Sequence, residues 1–217
     1  MMSAPTRHPS EELILDLARG ALEPGRAMVM QAHVAACVEC SAALRLAEAV
    51  GGALLAELEP AAMAPDALRQ ALAGLDLETP PPPVAAAPLP PDWIHVPSEV
   101  LAAAKRQRRQ AAPGVWVAQV TGQRRRGGAR SYLLGVGPGI AVPMHTHRGR
   151  EFVCVVKGAY EDRGCIYGPG DFAENDEGVE HQPRVTRDGE CVCLIAADDL
   201  LVPRSLAARL LQPLVGI

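Results

Sequence analysis

Aromatic side chains are scarce in this sequence: its 217 residues include two Trp, three Tyr and two Phe, about 3% of the chain. RNA-binding modules that stack bases on aromatic rings are therefore excluded as a class. Basic residues are not in excess either, because 21 Lys and Arg stand against 25 Asp and Glu and give a net charge of -4. That balance argues against a surface that binds phosphates over the whole molecule. We expect no direct nucleic-acid partner.

Long uninterrupted hydrophobic runs are also missing. The first residues are polar and contain proline, unlike a signal peptide. The longest helical candidate is interrupted by Glu48, Glu57 and Glu59, so no segment reaches the roughly 18 apolar residues that a membrane span needs. These patterns predict a cytoplasmic protein without a membrane partner. In that compartment the six cysteines are expected to be ligands or reactive thiols rather than a disulfide framework.

Proline is concentrated in one place. The segment 79–91 (TPPPPVAAAPLPP) has seven prolines in thirteen residues, a run that enters neither a helix interior nor a central strand. It predicts an extended linker of about 40 Å that keeps two domains apart, with a ligand for SH3-type domains as the alternative. The net charge also differs on the two sides of this segment: residues 1–78 carry 11 acids and 5 bases, whereas residues 92–217 carry 14 acids and 16 bases. We predict a domain at 1–78, a linker at 79–91 and a second domain at 92–217.

Helical periodicity dominates the first part. Apolar residues recur at helical spacing in four segments, at about 9–20, 24–34, 40–58 and 66–75. These segments are short and rich in Ala and Leu, so their shared core is thin and a bound metal ion would help to stabilise it. The pattern predicts a small four-helix domain.

A metal-binding pattern lies within these helices. His33, Cys37 and Cys40 are spaced by four and three residues, which places them on one side of a helix or of a helix end and the following turn. Imidazole and thiolate together favour zinc, and His8 at the head of the first helix is the candidate fourth ligand. One alternative is a pair of buried structural cysteines with a surface histidine. The other is a redox Cys-x-x-Cys pair, although no strand-turn-helix context precedes it.

The run His33-x3-Cys37-x2-Cys40 after an upstream histidine, in a small all-helical N-terminal domain, resembles the zinc-binding anti-sigma domain. In that family the helices wrap around an extracytoplasmic-function sigma factor and cover the surfaces with which it grips RNA polymerase. The resemblance implies no catalysis by these residues. It implies a fold that fails without zinc.

After the linker the pattern changes. Short apolar or β-branched runs at 115–120, 132–136, 152–156 and 191–195 are separated by Gly and Pro, which is typical of an antiparallel sandwich or barrel. A last helix is predicted at about 204–211. Basic runs at 105–109 and 124–126 indicate a solvated face, with docking to the acidic helical domain or to a partner as the alternative.

A second metal-binding pattern lies among these strands. His145 and His147 are two residues apart and face the same way on an extended segment. Glu151 on the next turn or strand and His181 in a later segment can join them. Imidazole and carboxylate suit Zn, Fe, Mn, Ni or Cu, so the pattern predicts zinc or another divalent transition metal. The alternative is a turn that binds no metal.

The spacing of these ligands between glycines resembles the cupin barrel over about 92–202. The first motif, Gly139-x5-His145-x-His147-x3-Glu151-x6-Gly158, matches at every defining position. The second departs from the family, because Asp176 stands where proline is usual and Val185 where asparagine is usual. The resemblance implies an antiparallel β-barrel whose metal ligands are the three histidines and the glutamate.

Two cysteines lie close to this pattern. Cys191 and Cys193 are two residues apart on a predicted strand and share one face. They are either packed in the core or form a redox-sensitive thiol pair.

An acidic zinc-binding domain followed by a cupin resembles the ChrR-type anti-sigma factors. The resemblance implies inhibition of an extracytoplasmic-function (group IV) sigma factor in a 1:1 complex. It also implies release of the sigma factor when the cupin senses singlet oxygen or a related oxidant, and it implies no enzymatic activity. The alternative is a cupin metalloenzyme of the dioxygenase type, with the helices as a zinc-dependent oligomerisation module.

Overall fold

The structure is a computed structural model that describes residues 4–75, 89–120, 130–199 and 201–204. Most of the proline-rich segment, the basic run 124–126 and nearly all of the predicted last helix lie outside these ranges.

Four helices form the N-terminal part: α1 (Glu11–Ala18), α2 (Pro24–Ala36), α3 (Val38–Ala56) and α4 (Ala67–Leu75). Cys37 separates α2 from α3, because its backbone is extended (φ -115°, ψ 111°) and its sulfur accepts a hydrogen bond from the first turn of α3. No single helix among the described residues is long and apolar enough to cross a membrane. The α2–α3 pair passes that test together by length and composition only, with a bend of 118°.

The C-terminal part begins with a helix that the periodicity did not indicate, α5 (Ser98–Arg106), and continues as short strands. The strands are β1 (Arg109–Ala112), β2 (Val115–Gln119), β3 (Arg130–Val136), β4 (His145–Thr146), β5 (Glu151–Lys157), β6 (Tyr160–Asp162), β7 (Cys165–Tyr167), β8 (Phe172–Asn175), β9 (Arg184–Val185), β10 (Cys191–Ala197) and β11 (Val202–Pro203).

These strands form antiparallel sheets. The largest has six strands in the order β1-β2-β3-β10-β5-β8, and it is accompanied by a three-stranded sheet, β7-β6-β9, and the pair β11-β4. Within the described residues, isolated bridges such as His145 to His181 supplement these ladders. The observed fold is therefore cupin-like with N-terminal helices, and closure into a full barrel stays a prediction.

Strand β5 explains why the run 152–156 is apolar without alternation. Phe152, Cys154 and Val156 belong to the core shared with the N-terminal helices, whereas Val153 and Val155 belong to a second core inside the β part. Successive side chains of a strand point to opposite faces, so both faces of β5 are buried.

Helix α2 packs directly against the large sheet, and α1 packs on α3 and shares the same apolar core. Leu13, Val29 and Met30 are at most 2% exposed and share one core with Phe152 and Leu194. The expectation that the proline-rich segment keeps the two parts separate is therefore wrong for these helices. The physical reason is that an apolar helix face needs a partner, and a long tether allows the chain to fold back onto the sheet.

Polar contacts reinforce this packing. Arg26 of α2 forms an ion pair with Asp198, which follows β10, and its guanidinium lies 5.4 Å from the centre of the Phe152 ring. Because only 16% of the Arg26 side chain is exposed, this pair is better protected from solvent than an ordinary surface salt bridge. The position of α2 over β5 is thus fixed by both apolar and charged contacts.

Candidate metal centres

The helical part brings together the four side chains of the first predicted metal site. The candidate ligand atoms of His8, His33, Cys37 and Cys40 all lie within 4.8 Å of one another. Nδ1 of His8 is 3.4 Å from the sulfur of Cys37 and 3.4 Å from that of Cys40. These residues come from the segment before α1, from α2, from the α2–α3 break and from the first turn of α3. A metal ion at this point would join three elements.

The hydrogen bonding of His33 leaves one nitrogen for a metal. Its Nδ1 donates to the carbonyl oxygen of Gly170 at 2.7 Å. Among the residues that the structure describes, its buried Nε2 has no hydrogen-bond partner. An unpartnered buried nitrogen costs free energy, and a bound cation would satisfy it. Burial also lowers the pKa of His33, which favours the neutral imidazole that a metal needs.

The chemistry of the two thiols fits the same interpretation. Burial, with a hydrogen bond and a nearby charge from Cys37, raises the pKa of Cys40 to about 12. Without a cation the Cys40 thiol stays protonated, and a coordinated zinc ion would remove its proton. Two sulfurs and two imidazoles in a mostly buried group are a donor set that suits zinc.

The second cluster contains three buried histidines. His145 lies on β4, and its backbone exchanges two hydrogen bonds of 3.1 Å with the backbone of His181. Nε2 of His181 lies 3.0 Å from Nε2 of His145 and 3.0 Å from Nε2 of His147. The three rings therefore present the same nitrogen to one point.

Partners outside this cluster fix the ring orientations. His145 donates from Nδ1 to the Pro143 carbonyl at 2.7 Å, and His181 donates from Nδ1 to Asp162 at 2.9 Å. Burial lowers the pKa of His145 to about 4 and that of His147 to about 3, so both rings are neutral at neutral pH. A cation between the three Nε2 atoms would be coordinated by their lone pairs. The arrangement fits a divalent transition metal.

Glu151, the predicted fourth ligand of this cluster, is adjacent to the histidines. One of its carboxylate oxygens is 3.5 Å from Nε2 of His147 and accepts a hydrogen bond of 3.1 Å from Asn175. Burial raises the pKa of Glu151 to about 7. Its distance from the other two histidines leaves it outside the tight group of three, so its role as a ligand stays a prediction.

Residue spacing did not identify the supporting side chains. Asp162 and Asn175 lie on β6 and β8, and each holds a predicted ligand by a hydrogen bond. Gly170 supports His33 from a distance of 137 residues in the sequence. The second cupin-like motif, Gly170-x5-Asp176-x-Gly178-x2-His181, includes Gly170 but does not indicate its contact with His33. No local pattern marks Asp162 or Asn175, since each becomes a partner only through the pairing of distant strands.

A small cavity lies beside the histidine cluster. Its volume is about 60 Å³, and its lining includes His145, His181, Cys191 and Cys193. The two cysteine sulfurs are 3.8 Å apart. A hydrogen bond with Cys191 and, as the second largest cause, burial raise the pKa of the Cys193 thiol. The pair is thus buried in the core and also borders the space next to the histidines.

Comparison with known proteins identifies the family of this chain. Residues 98–200 match the family described as the ChrR cupin-like domain. The anti-sigma-E factor ChrR of Cereibacter sphaeroides is 33% identical over 215 residues, covering 97% of this chain and 98% of the relative. A chain in the crystal structure of Rhodobacter sphaeroides SigE in complex with the anti-sigma ChrR superposes with a TM-score of 0.73 and 32% identity, covering 89% of this chain and 100% of that one. The chain therefore belongs to the ChrR family.

Proposed function

We propose that this protein is an anti-sigma factor that binds and inhibits an extracytoplasmic-function sigma factor. The observation that carries the proposal is similarity to ChrR along nearly the whole chain, including a ChrR whose structure was determined together with SigE. The protein acts as a regulator and not as an enzyme. A sigma factor works with RNA polymerase in the cytoplasm, so we place the inhibitor there too.

The surface of α3 supports a protein partner. Leu46, Val50 and Leu54 recur every four residues on this helix, and each is more than half exposed. Such spacing aligns side chains on one face of a helix. A row of exposed large apolar side chains is typical of an interaction site.

Helix α4 also exposes a row of large apolar side chains. None of its residues is buried, and Leu68, Leu72 and Leu75 are each more than half exposed. We propose that α3 and α4 cover apolar surfaces of the sigma factor, whereas α2 holds the helical part on the sheet. We keep the predicted division into a sigma-binding domain at 1–78, a connecting segment at 79–91 and a cupin domain at 92–217.

We propose zinc as the ion held by His8, His33, Cys37 and Cys40. Their donor set and the unpartnered Nε2 of His33 support it. When bound, the ion would join α2, α3 and the segment before α1, so its binding free energy would contribute to folding. The residues themselves supply the geometry, because the extended backbone of Cys37 turns the chain between α2 and α3.

We further propose that the cupin part senses singlet oxygen or a related oxidant. His145, His147, Glu151 and His181 would hold zinc or another divalent transition metal. The cavity beside them, of about 60 Å³, suits a molecule of a few atoms and is far smaller than pockets that enclose organic substrates. Cys191 and Cys193 border this space and would provide oxidisable sulfur. Their oxidation would change the core of the large sheet, against which α2 packs.

Co-expression tests the central proposal. The full chain is produced with an extracytoplasmic-function sigma factor from the same genome, and co-purification and transcription by RNA polymerase with that sigma factor are measured. We expect a 1:1 complex and inhibited transcription. Replacing two residues of the α3 row, Leu46→Asp with Leu54→Asp, should abolish both effects by placing charge in the interface.

The matched control is Ile166→Asp on β7, which replaces an equally exposed apolar residue in the cupin part. We expect this variant to bind the sigma factor like the wild type. A wild-type chain that neither co-purifies nor inhibits would contradict the anti-sigma proposal. Equal loss in both variants would contradict only the assignment of the interface to α3.

A further inference from the structure

A turn of the cupin part reaches into the helical metal cluster. It comprises residues 168–171, between β7 and β8, together with Phe172, the first residue of β8, and we call it the β7–β8 turn. The carbonyl of Gly170 in this turn accepts the hydrogen bond from Nδ1 of His33 at 2.7 Å. The ring of Phe172 lies edge-on to His33, with 5.8 Å between ring centres. The orientation of one cluster histidine is therefore set by the opposite part of the molecule.

The same turn holds the segment that ends at His8. One carboxylate oxygen of Asp171 accepts hydrogen bonds from the backbone N–H groups of Thr6, at 2.6 Å, and Arg7, at 2.9 Å. The backbone N–H of Phe172 donates to the carbonyl of Arg7 at 3.0 Å. Three hydrogen bonds thus fix the two residues that precede His8. Asp171 is 5% exposed, so competition from water at this carboxylate is small.

The turn is itself firmly attached. Asp171 accepts a hydrogen bond of 2.7 Å from the N–H of Gly168 through its other oxygen. The Gly170 N–H donates to the Val155 carbonyl at 2.8 Å, and the Val155 N–H donates to the Asp171 carbonyl at 3.1 Å, which ties the turn to β5. Gly170 has a φ of +86°, and a Cβ there would lie 2.7 Å from Pro5. The close approach to the N-terminal segment therefore requires glycine.

We infer that the β7–β8 turn is a positioning element of the helical zinc site, with Asp171 as its central residue. The inference rests on the proposed zinc ligands, of which the turn orients His33 directly and His8 through residues 6 and 7. Hydrogen bonds to the groups behind metal ligands fix ligand geometry, and their loss typically lowers metal affinity about 10- to 100-fold. The cupin part thus contributes to zinc affinity without supplying a ligand.

Through this arrangement, a structural change in the cupin part can alter the helices that we propose to bind the sigma factor. A displacement of the β7–β8 turn removes support from two zinc ligands at once. Strand β8 contacts His33 through Phe172 at one end, and at the other end Asn175 holds Glu151, the predicted fourth ligand of the histidine cluster, by a hydrogen bond.

Cobalt titration of the full-length chain tests the inference. Co²⁺ bound to thiolate sulfur absorbs through sulfur-to-metal charge transfer, a signal that the cluster of His145, His147 and His181 does not produce. The dissociation constant of the thiolate site is measured from this band, and that for zinc by competition. We expect Asp171→Ala to weaken both metals about 10- to 100-fold, because Thr6 and Arg7 lose their acceptor.

The matched control is Asp92→Ala. This carboxylate also accepts a hydrogen bond, from Lys157 at 2.8 Å, but it is half exposed and does not contact the cluster. We expect wild-type affinity in the control. If Asp171→Ala does not fold, Asp171→Asn serves instead, since its amide oxygen still accepts from Thr6 and Arg7 while the charge is lost. A smaller but measurable weakening is expected.

Two outcomes have different meanings. A folded Asp171→Asn or Asp171→Ala chain with the same affinity as the Asp92→Ala control overturns the positioning role and leaves the proposed zinc site intact. Absence of the sulfur-to-metal charge-transfer band from the wild-type chain would contradict the proposed zinc site. It would then contradict the positioning role as well, because that role rests on the zinc site.

Discussion

At the scale of single residues, both candidate metal centres depend on which imidazole nitrogen is already hydrogen-bonded. His33, His145 and His181 each use Nδ1 for an acceptor outside their cluster. The partner of one ring nitrogen decides the tautomer, so Nε2 is the nitrogen left for a metal. The histidines can therefore act as ligands through Nε2 only because these acceptors bind Nδ1.

Replacing Asp162 tests this at the histidine cluster. Asp162→Ala removes the acceptor of the His181 Nδ1–H, so the ring can rotate or change tautomer. We expect metal affinity at this cluster to fall about 10- to 100-fold. The measurement is the metal content of the purified chain after dialysis against a chelator. Metal bound at the thiolate site, which this substitution does not change, is the internal reference.

The control for this prediction is Glu174→Ala on β8. Glu174 is a partly exposed carboxylate that pairs with Arg150 at 3.4 Å and does not contact the histidines. Its replacement should leave metal content unchanged. An Asp162→Ala chain that retains metal as well as this control would show that the His181 orientation does not need the carboxylate.

The sequence identified the ring residues of both clusters but not their acceptors. Spacing of two to four residues is sufficient to place His33 beside Cys37, or His145 beside His147, because helix and strand periodicity are local. Asp162, Gly170 and Asn175 are brought in by strand pairing and by the docking of α2, which residue spacing does not encode. Asp171 carries no signal in the sequence that separates it from other turn aspartates.

At the scale of elements, the approach of α2 to β3 depends on a glycine. A Cβ at Gly25 would collide with the hydroxyl oxygen of Ser131. That hydroxyl is buried and, within the described part of the chain, has no hydrogen-bond partner. The helix therefore lies over the strand only because residue 25 lacks a side chain.

The effect of Gly25→Ala should depend on Ser131. Alone, the substitution overpacks the contact and should lower the free energy of unfolding by about 1–3 kcal/mol. In the Ser131→Ala background the colliding oxygen is gone, so the gain in helix propensity should remain and the change should be stabilising by up to about 1 kcal/mol. Urea unfolding of the four chains gives both values.

Ser131→Ala is the internal control, because it removes an unsatisfied buried hydroxyl and should be neutral or slightly stabilising. Gly25→Ala with the same destabilisation in both backgrounds would contradict the proposed contact between α2 and β3.

Element types were more predictable than their packing. The four N-terminal helices begin and end within about three residues of the predicted bounds, because capping and periodicity act locally. Helix α5 was missed although Ser98 and Glu99 begin it and Lys105 and Arg106 end it, a charge order that favours a helix. The docking of α2 on the sheet could not be predicted, because it joins apolar faces on either side of a proline-rich segment.

At the scale of the whole molecule, the buried and exposed faces of the helical part have different partners. Leu13, Val29 and Met30 belong to the core shared with the sheet and are at most 2% exposed, whereas the apolar rows on α3 and α4 are exposed. The acidic first part can therefore contact the sheet and a sigma factor at the same time. With the proposed interface on α3 and α4, binding of a sigma factor would not require the two parts to separate.

Truncation after residue 78 tests this division. The fragment keeps all four residues of the first cluster and both exposed rows, so in the presence of zinc it should bind the sigma factor and inhibit transcription. It loses the cupin part, so singlet oxygen from a photosensitiser should release the sigma factor from the full chain but not from the fragment. Co-purification and transcription before and after illumination measure both effects.

Zinc dependence should also change with truncation. The fragment exposes the face of α2 that the sheet covers, and it lacks the β7–β8 turn that orients His8 and His33. Chelation should therefore reduce its helicity, followed by circular dichroism, at lower chelator concentration than in the full chain. A zinc-loaded fragment that cannot bind the sigma factor would contradict the division of roles. Equal sensitivity of the fragment and the full chain to chelator would instead show that the sheet adds nothing to the stability of the helical part. We do not expect this result, because the helical part shares a core with Phe152 and Leu194 of the sheet.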